Sequence, residues 1–526
     1  MPSPTPLVPL LSYKDQMTSC GWDFRSHAPQ KRILTLCILA AASLVSVEPS
    51  YVGYDPSGDR FSAAHLKWDA VSSAPLGSLQ MSELGARRKL LSARLHGEAV
   101  RQAHQDGITS FASIENATSC FLLNTLDVTY TPNSTHPWAA AAVWQLRTLS
   151  ELGVIEAVCQ LPDISSRDTS CLQWRGFLSL LAVYAMNAGK SLPFSTYDEL
   201  LICGPSPASL DQMFSQAEHI PPHVAVVQLV RSFTAHGIRL MRDICETLLA
   251  VPVRDCPLDD LHVLRLVTAA EHLHAELARY RRFTRRFGDG PGLRLCLHSI
   301  SLPCCAVAVA LYNTLFSRAA GAGGLIGQLR VRARALAVRA VVDTTADVRD
   351  VVVTHWLGLN QAGGFEAWAR VLVEDVGQTD FECQAAALDD GSLGGYQVST
   401  EERIEALVRL REMIQFSAFI GIERLDAIPA IDAKLERLRA RMEERASEML
   451  YHSDILEPAK GTAEASSLPF DIPSPDLWDA STTMDWMPQQ GAFDMGALHD
   501  TSIDVSHWEE WLYPDVRSDT ACAGGS

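Results

Sequence analysis

The chain has 526 residues, of which 47% are hydrophobic and 20% charged, with a formal charge of −18. That much apolar material excludes a wholly disordered chain. The acidic balance excludes a chain devoted throughout to gripping phosphates, which requires a basic face. Length allows about two to four domains.

Residues 1–30 are polar and carry prolines, which reads as a disordered lead-in. The apolar run Ile33 to Val47 follows Lys31 and Arg32. It falls short of the roughly 20 residues a membrane span needs. It also lies too far from Met1 for a signal peptide, so a buried helix is expected. In the next segment Leu84, Leu91, Leu95 and Ala99 recur near one helical face, with Arg88 interrupting it. Ser113 is placed to cap a helix carrying Cys120, Phe121, Leu122 and Leu123, and Pro137 to Leu152 reads as another helix. Residues 160–170 read as a polar loop, Cys171 to Ala188 as helix, and Pro205 with Pro207 as a break.

Pro222 to Phe287 reads as two long helices split near Pro252 and Pro257, followed by a turn at Gly288, Gly290, Pro291 and Gly292. Helix resumes to about Ala320 and includes the apolar run Leu302 to Phe316, again too short to span a membrane. Residues 321–450 hold four or more further helices. Ser399 with Glu402 forms a capping box before Ile404, Leu407, Val408, Leu410 and Ile414. Val351 to Val353 is the best β-branched run, in a helical context. The last helix, Pro429 to Leu450, repeats Ile431, Leu435, Leu438 and Met442 before Arg445 breaks the seam. Packing against its own domain is expected, with a homodimer through this seam as the alternative.

After Lys460 the composition changes. Residues 461–526 contain twelve acidic residues and one basic residue, for a net charge of −11, and four of the eleven tryptophans. Acidic residues interleaved with bulky apolar ones are the composition of an activation segment. Charge repulsion keeps such a segment solvated, and its aromatic groups remain free to enter a partner's groove. Within Asp504 to Tyr513, Trp508, Trp511 and Leu512 share a helical face and are the expected partner contacts, with Trp478 and Trp486 as further anchors. The alternative is a tail whose tryptophans tuck against the body.

Motifs for chemistry fail on specific features. Thirteen cysteines include no CxxC pair, which reads as reduced intracellular thiols rather than a zinc centre, so no cofactor is assigned. Cys304 and Cys305 sit in an apolar run as small hydrophobes. The sequons at Asn116 and Asn133 read as chance tripeptides. Asp259 and Asp260 lack the further carboxylate of a diphosphate-binding magnesium motif and suit a helix N-terminus. His272, His274 and Glu276 lack metalloprotease spacing and read as surface residues. Gly321, Gly323, Gly324 and Gly327 do not match a dinucleotide fingerprint and read as a linker.

Two basic clusters remain. Arg279, Arg281, Arg282, Arg285 and Arg286 alternate with Tyr280, Phe283 and Phe287. That is either a basic patch for nucleic acid or a solvated helix end whose cations offset the dipole. Arg330, Arg332, Arg334 and Arg339 form the second cluster, with the acidic tail as a candidate internal partner.

Three stretches carry a resemblance: Cys37 to Ser43 (CILAAAS), Gly85 to Arg88 (GARR) and Ser113 to Leu123 (SIENATSCFLL), followed by Pro137-Trp138-Ala139. Together they resemble the fungal-specific transcription factor domain in its basidiomycete form, over about 120 residues. His507 to Leu512 (HWEEWL) is similar to the C-terminal ends of that family. The resemblance implies an all-α regulatory domain over about 31–450, no catalytic residues, and a nuclear location. It also implies a function in transcription by RNA polymerase II through coactivators or other transcription factors. The family's six-cysteine zinc cluster has no counterpart here, since only Cys20 precedes Cys37. DNA is then reached only through a missing head or a partner, and no zinc ligand is carried over. The competing expectations are a headless helical scaffold and an all-α enzyme of a kind not recognised from motifs.

Overall fold

The computed structural model describes residues 17–19, 27–44, 78–130, 137–154, 164–205, 207–250, 256–287, 291–318, 324–348, 364–374, 396–418 and 426–455. The described residues form fourteen α-helices and one π segment, with no strand. The expected all-α fold is therefore observed. The helices are α1 (Pro29–Ser43), α2 (Ser78–Gln105), α3 (Ile114–Tyr130), α4 (Pro137–Glu151), α5 (Ile164–Asn187), α6 (Thr196–Cys203), α7 (Leu210–Ala217) and α8 (Pro222–Ile244), which runs on into the π segment Cys245–Leu249. Then come α9 (Asp260–Arg285), α10 (Pro291–Arg318), α11 (Gly324–Asp347), α12 (Gly364–Val373), α13 (Thr400–Ser417) and α14 (Ala427–Ile455).

Packing follows chain order. Helix α1 lies on α2 and α3, and α3 lies on α4. Helices α5, α8, α9, α10 and α11 form the centre, and α12, α13 and α14 pack together against α11. One long-range contact, α13 on α2, joins the two ends of the bundle. A continuous buried cluster runs from Ile33 and Leu34 through Phe233 and Tyr312 to Leu435 and Leu438.

Local chemistry sets most helix starts. Ser113 Oγ accepts the Asn116 amide at 3.1 Å, as a cap requires. Ser399 and Glu402 make the expected capping box: the Ser399 amide donates to Glu402 and the Glu402 amide to Ser399 Oγ. Pro137, Pro222 and Pro291 each open a helix, where a missing N–H costs nothing. Asp259 caps α9 by accepting the Leu261 amide, so this acidic pair belongs to a helix N-terminus.

Three expectations are corrected, and two short helices are added. Helix α5 begins at Ile164, inside the stretch expected to be a loop. Two short helices, α6 and α7, flank the proline break. Each is started by a serine cap, Ser195 with Asp198 and Ser209 with Gln212, and α6 stops at Gly204 with a φ of 73°. Gly324 and Gly327 belong to α11 rather than to a linker. Arg88 does not break the α2 seam but is buried within it, donating to the Leu44 carbonyl at 2.8 Å and so tying α2 to the end of α1.

Other expectations hold. Helix α14 buries Ile431, Leu435 and Leu438 against α12 and α13, so the seam packs on its own domain. Asn116 is buried, with its side-chain amide on the Phe111 carbonyl, which leaves no room for a glycan. The run Leu302 to Phe316 is a core helix as expected, although not for want of length: Cys296–Arg318 is long and apolar enough to cross a membrane, and 72% of its most apolar window is buried inside the bundle. Pro303 sits within α10 and cannot donate to the preceding turn. Residues 351–353, Asn133, Gly321, Gly323 and the Gly288–Gly290 turn lie outside the described residues.

Candidate functional site

A dense charged assembly lies where α9 meets α11 and reaches across to α13. On α11, Arg339, Asp343 and Asp347 are spaced by four and share a face. On α9, His274 and Arg281 are two turns apart and face them. Arg281 donates to both Asp347 oxygens, Nε to Oδ1 at 3.2 Å and to Oδ2 at 3.0 Å and Nη2 to Oδ2 at 2.7 Å, and through Nη1 to Asp343 at 3.0 Å. Arg339 pairs with Asp343 at 2.7 Å and, across to α13, with Glu402 at 3.0 Å. His274 Nε2 lies 3.4 Å from Asp343, and its ring leans against Tyr396. One turn toward the start of α9, Glu271 receives two hydrogen bonds from Arg332.

Burial makes this arrangement consequential. Arg281 is 9% exposed, and both aspartates are largely shielded. Burial pushes the Asp343 carboxyl up, but His274, Arg281 and Arg339 outweigh it and hold Asp343 below the ordinary aspartate range. For Asp347 burial prevails over the pull of Arg281, so its pKa is raised. Burial alone would lower Arg281, yet Asp347 and Asp343 raise it and secure its charge.

These directions give a pH dependence. Asp343 is depressed in the fold, so its contribution to stability is present above the unfolded aspartate value of 3.8 and is lost as pH falls through its folded value. Asp347 has the opposite sign: its charge costs stability at neutral pH, and acid relieves that cost. Asp343→Asn is expected to cost about 2 kcal/mol at pH 7, because the amide keeps an acceptor but loses the charge. The difference from wild type should shrink by pH 3. Denaturant unfolding at the two pH values checks this, and a gap that stays constant with pH excludes the assignment.

The cysteines near this assembly are poor nucleophiles. Burial pushes the Cys304 thiol up to about 12 despite the nearby Arg281, and pushes Cys305 well above its ordinary value. Among the described residues, no group of three or more His, Cys, Asp or Glu side chains is placed to hold a metal ion. What the assembly does is clamp: it fixes α9, α11 and α13 in one register through charge-assisted bonds.

The structure redistributes the residues singled out from sequence. Arg281 leaves the basic patch, because it is an interior ion-pair partner rather than a surface cation. Arg282, Arg285 and Arg286 are exposed at the end of α9. His274 and Glu276 are buried, not on the surface, whereas His272 is exposed as expected. The second cluster is turned inward: Arg330 is buried, Arg332 pairs with Glu271, Arg334 donates to the Glu374 carbonyl, and Arg339 pairs with Asp343 and Glu402. That cluster is therefore no open receptor for the tail. Trp478, Trp486, Trp508, Trp511 and Leu512 lie outside the described residues. Sequence reading missed the Arg339, Asp343, Asp347 stripe, although its four-residue spacing is visible in the chain. Comparison with protein-family models, curated proteins and solved structures finds no match to this chain.

Proposed function

We propose that this chain regulates transcription by RNA polymerase II in a fungal nucleus. In this reading the helical body carries an acidic, aromatic segment that recruits coactivators or other transcription factors. The observation that carries the reading is the composition of residues 461–526: a net charge of −11 together with four tryptophans. The all-helical body and the resemblance over α1 to α4 support it. Trp508, Trp511 and Leu512 are the expected contacts, inserting as one apolar face into a groove whose rim meets Glu509 and Glu510.

Fusing residues 461–526 to a foreign DNA-binding domain tests the reading. A reporter is expected to rise about tenfold or more, and the combined Trp508→Ala, Trp511→Ala and Leu512→Ala variant to return it near background, since aromatic anchors dominate such interfaces. A silent wild-type fusion rejects the proposal.

One observation favours a second reading, a helical scaffold. Trp144 and Leu152, from α4 and the residues just after it, and Tyr197 and Leu200 on the adjoining α6 are exposed, and exposed apolar groups of this kind mark partner surfaces. A scaffold predicts a silent reporter together with loss of partner binding in Trp144→Ser and Tyr197→Ser.

A further inference from the structure

We propose that the C-terminal end of α9 is a docking surface for the chain's own acidic segment around Asp504 to Tyr513. The inference goes beyond the activation reading and does not depend on it. Arg282, Arg285 and Arg286 are exposed, and none of them has an ion-pair partner among the described residues. Their neighbours differ. Arg281 is held by Asp343 and Asp347, and Arg279 by Asp211 and Glu276. Three like charges thus stand within five residues, and Arg282 and Arg286 share a face at a four-residue spacing, where like charges repel. A helix C-terminus favours cations only within its last turn and at modest gain. An anionic occupant would relieve the repulsion that remains.

The same surface is aromatic. Rings step outward from the core: Phe233 packs on Phe214 at 6.3 Å, Phe214 on Phe283 at 6.3 Å, and Phe283 on Phe287 at 5.0 Å. Phe287 ends the series at 38% exposed, and the Arg279 guanidinium lies 4.4 Å above the Phe214 ring earlier in it. An acidic segment with aromatic groups complements such a face on both counts, carboxylates to the guanidiniums and an indole to the open ring edge. Asp504, Glu509 and Glu510 flank Trp508 and Trp511 in this way.

The connection is geometrically sound. On α14, Arg445 lies within electrostatic range of Glu401 at the start of α13. The adjacent Glu402 pairs with Arg339, which shares Asp343 with Arg281. The far part of α14 therefore passes the same end of the bundle as the last turns of α9. About fifty residues separate Ile455 from Asp504. A chain of that length spans roughly 40 Å as a coil, so the local concentration of the segment at α9 is high.

Hydrogen exchange of the full chain, read by mass spectrometry on peptides covering 504–513, tests this at low salt. In the wild type these amides are expected to be protected. The combined Arg282→Glu, Arg285→Glu and Arg286→Glu variant should lose that protection about tenfold, and so should 0.5 M salt, which screens exposed charges. Glu509→Lys with Glu510→Lys should do the same from the other side, and it leaves the helical body untouched should the first variant fold poorly. Combining both sets of reversals should restore protection. Equal exchange in the wild type and in the tail-side variant overturns the proposal, and so does a combined variant that stays unprotected. The readout is independent of reporter activity, so docking and activation fail separately.

Discussion

Arg281→Ala is expected to destabilise the protein by about 3–5 kcal/mol, the loss seen when one member of a buried ion pair is removed and its partners are left charged. The substitution removes the Nε and Nη2 hydrogen bonds to Asp347 and one of those to Asp343. Asp347, already raised by burial, would then be pushed further toward its neutral form or draw water into the α9–α11 contact. Domains are stable by only about 5–15 kcal/mol, so the variant should unfold at a much lower denaturant concentration. Arg281→Met combined with Asp347→Leu separates charge from packing. It should recover most of the loss, because apolar replacement of a whole buried pair is often neutral. If Arg281→Ala unfolds at the wild-type midpoint, the clamp is not holding the bundle together.

Trp368→Ala is the second large effect, also expected at about 3–5 kcal/mol. Trp368 is 1% exposed and sits in α12, a helix of ten residues. Its ring meets Phe365 edge-on at 5.5 Å, and α12 packs on α10, α11, α13 and α14. So short a helix has little stability of its own, and its place depends on this side chain. The far end of α12 is held separately: Tyr312 donates to the Glu374 carboxylate at 2.7 Å and Arg334 to its carbonyl at 2.8 Å. Those bonds should keep Glu374 near α10 while the cavity left by the indole frees α13 and α14. Hydrogen exchange should therefore rise in α13 and α14 more than in α1 to α4. A uniform rise along the chain would contradict this division.

Legibility from sequence followed the range of the interaction. Caps such as Ser113 and the Ser399–Glu402 box are set within four residues, and reading the chain in order finds them. The prolines opening α4, α8 and α10 are equally local. Eight residues show too little apolar periodicity to reveal α6 and α7, although their serine caps stand in the chain. The α5 start was missed for a related reason: Ser165, Ser166, Arg167 and Asp168 look like loop in isolation, while the helix belongs with the apolar stretch after Cys171. His274 and Arg281 looked like surface residues because their partners lie more than sixty residues away on α11. Nothing local distinguishes an arginine bound for solvent from one bound for two aspartates. The order of packing, by contrast, largely follows the order of the helices in the chain.

That order has a consequence in time. Most helices contact near neighbours in the chain, although α5 packs chiefly on the later α8 and α10, so much of the bundle can assemble as the chain leaves the ribosome, domains being laid down from the N-terminal side. Among the features that must wait are the face of α2 that receives α13 and the Glu402 arm of the clamp, both supplied only after residue 400 has been synthesised. Until then a nascent chain presents a bare strip on α2 and an Arg339 that lacks its second partner. That interval is when the unfinished protein is most exposed to chaperones and to misassembly with its own copies.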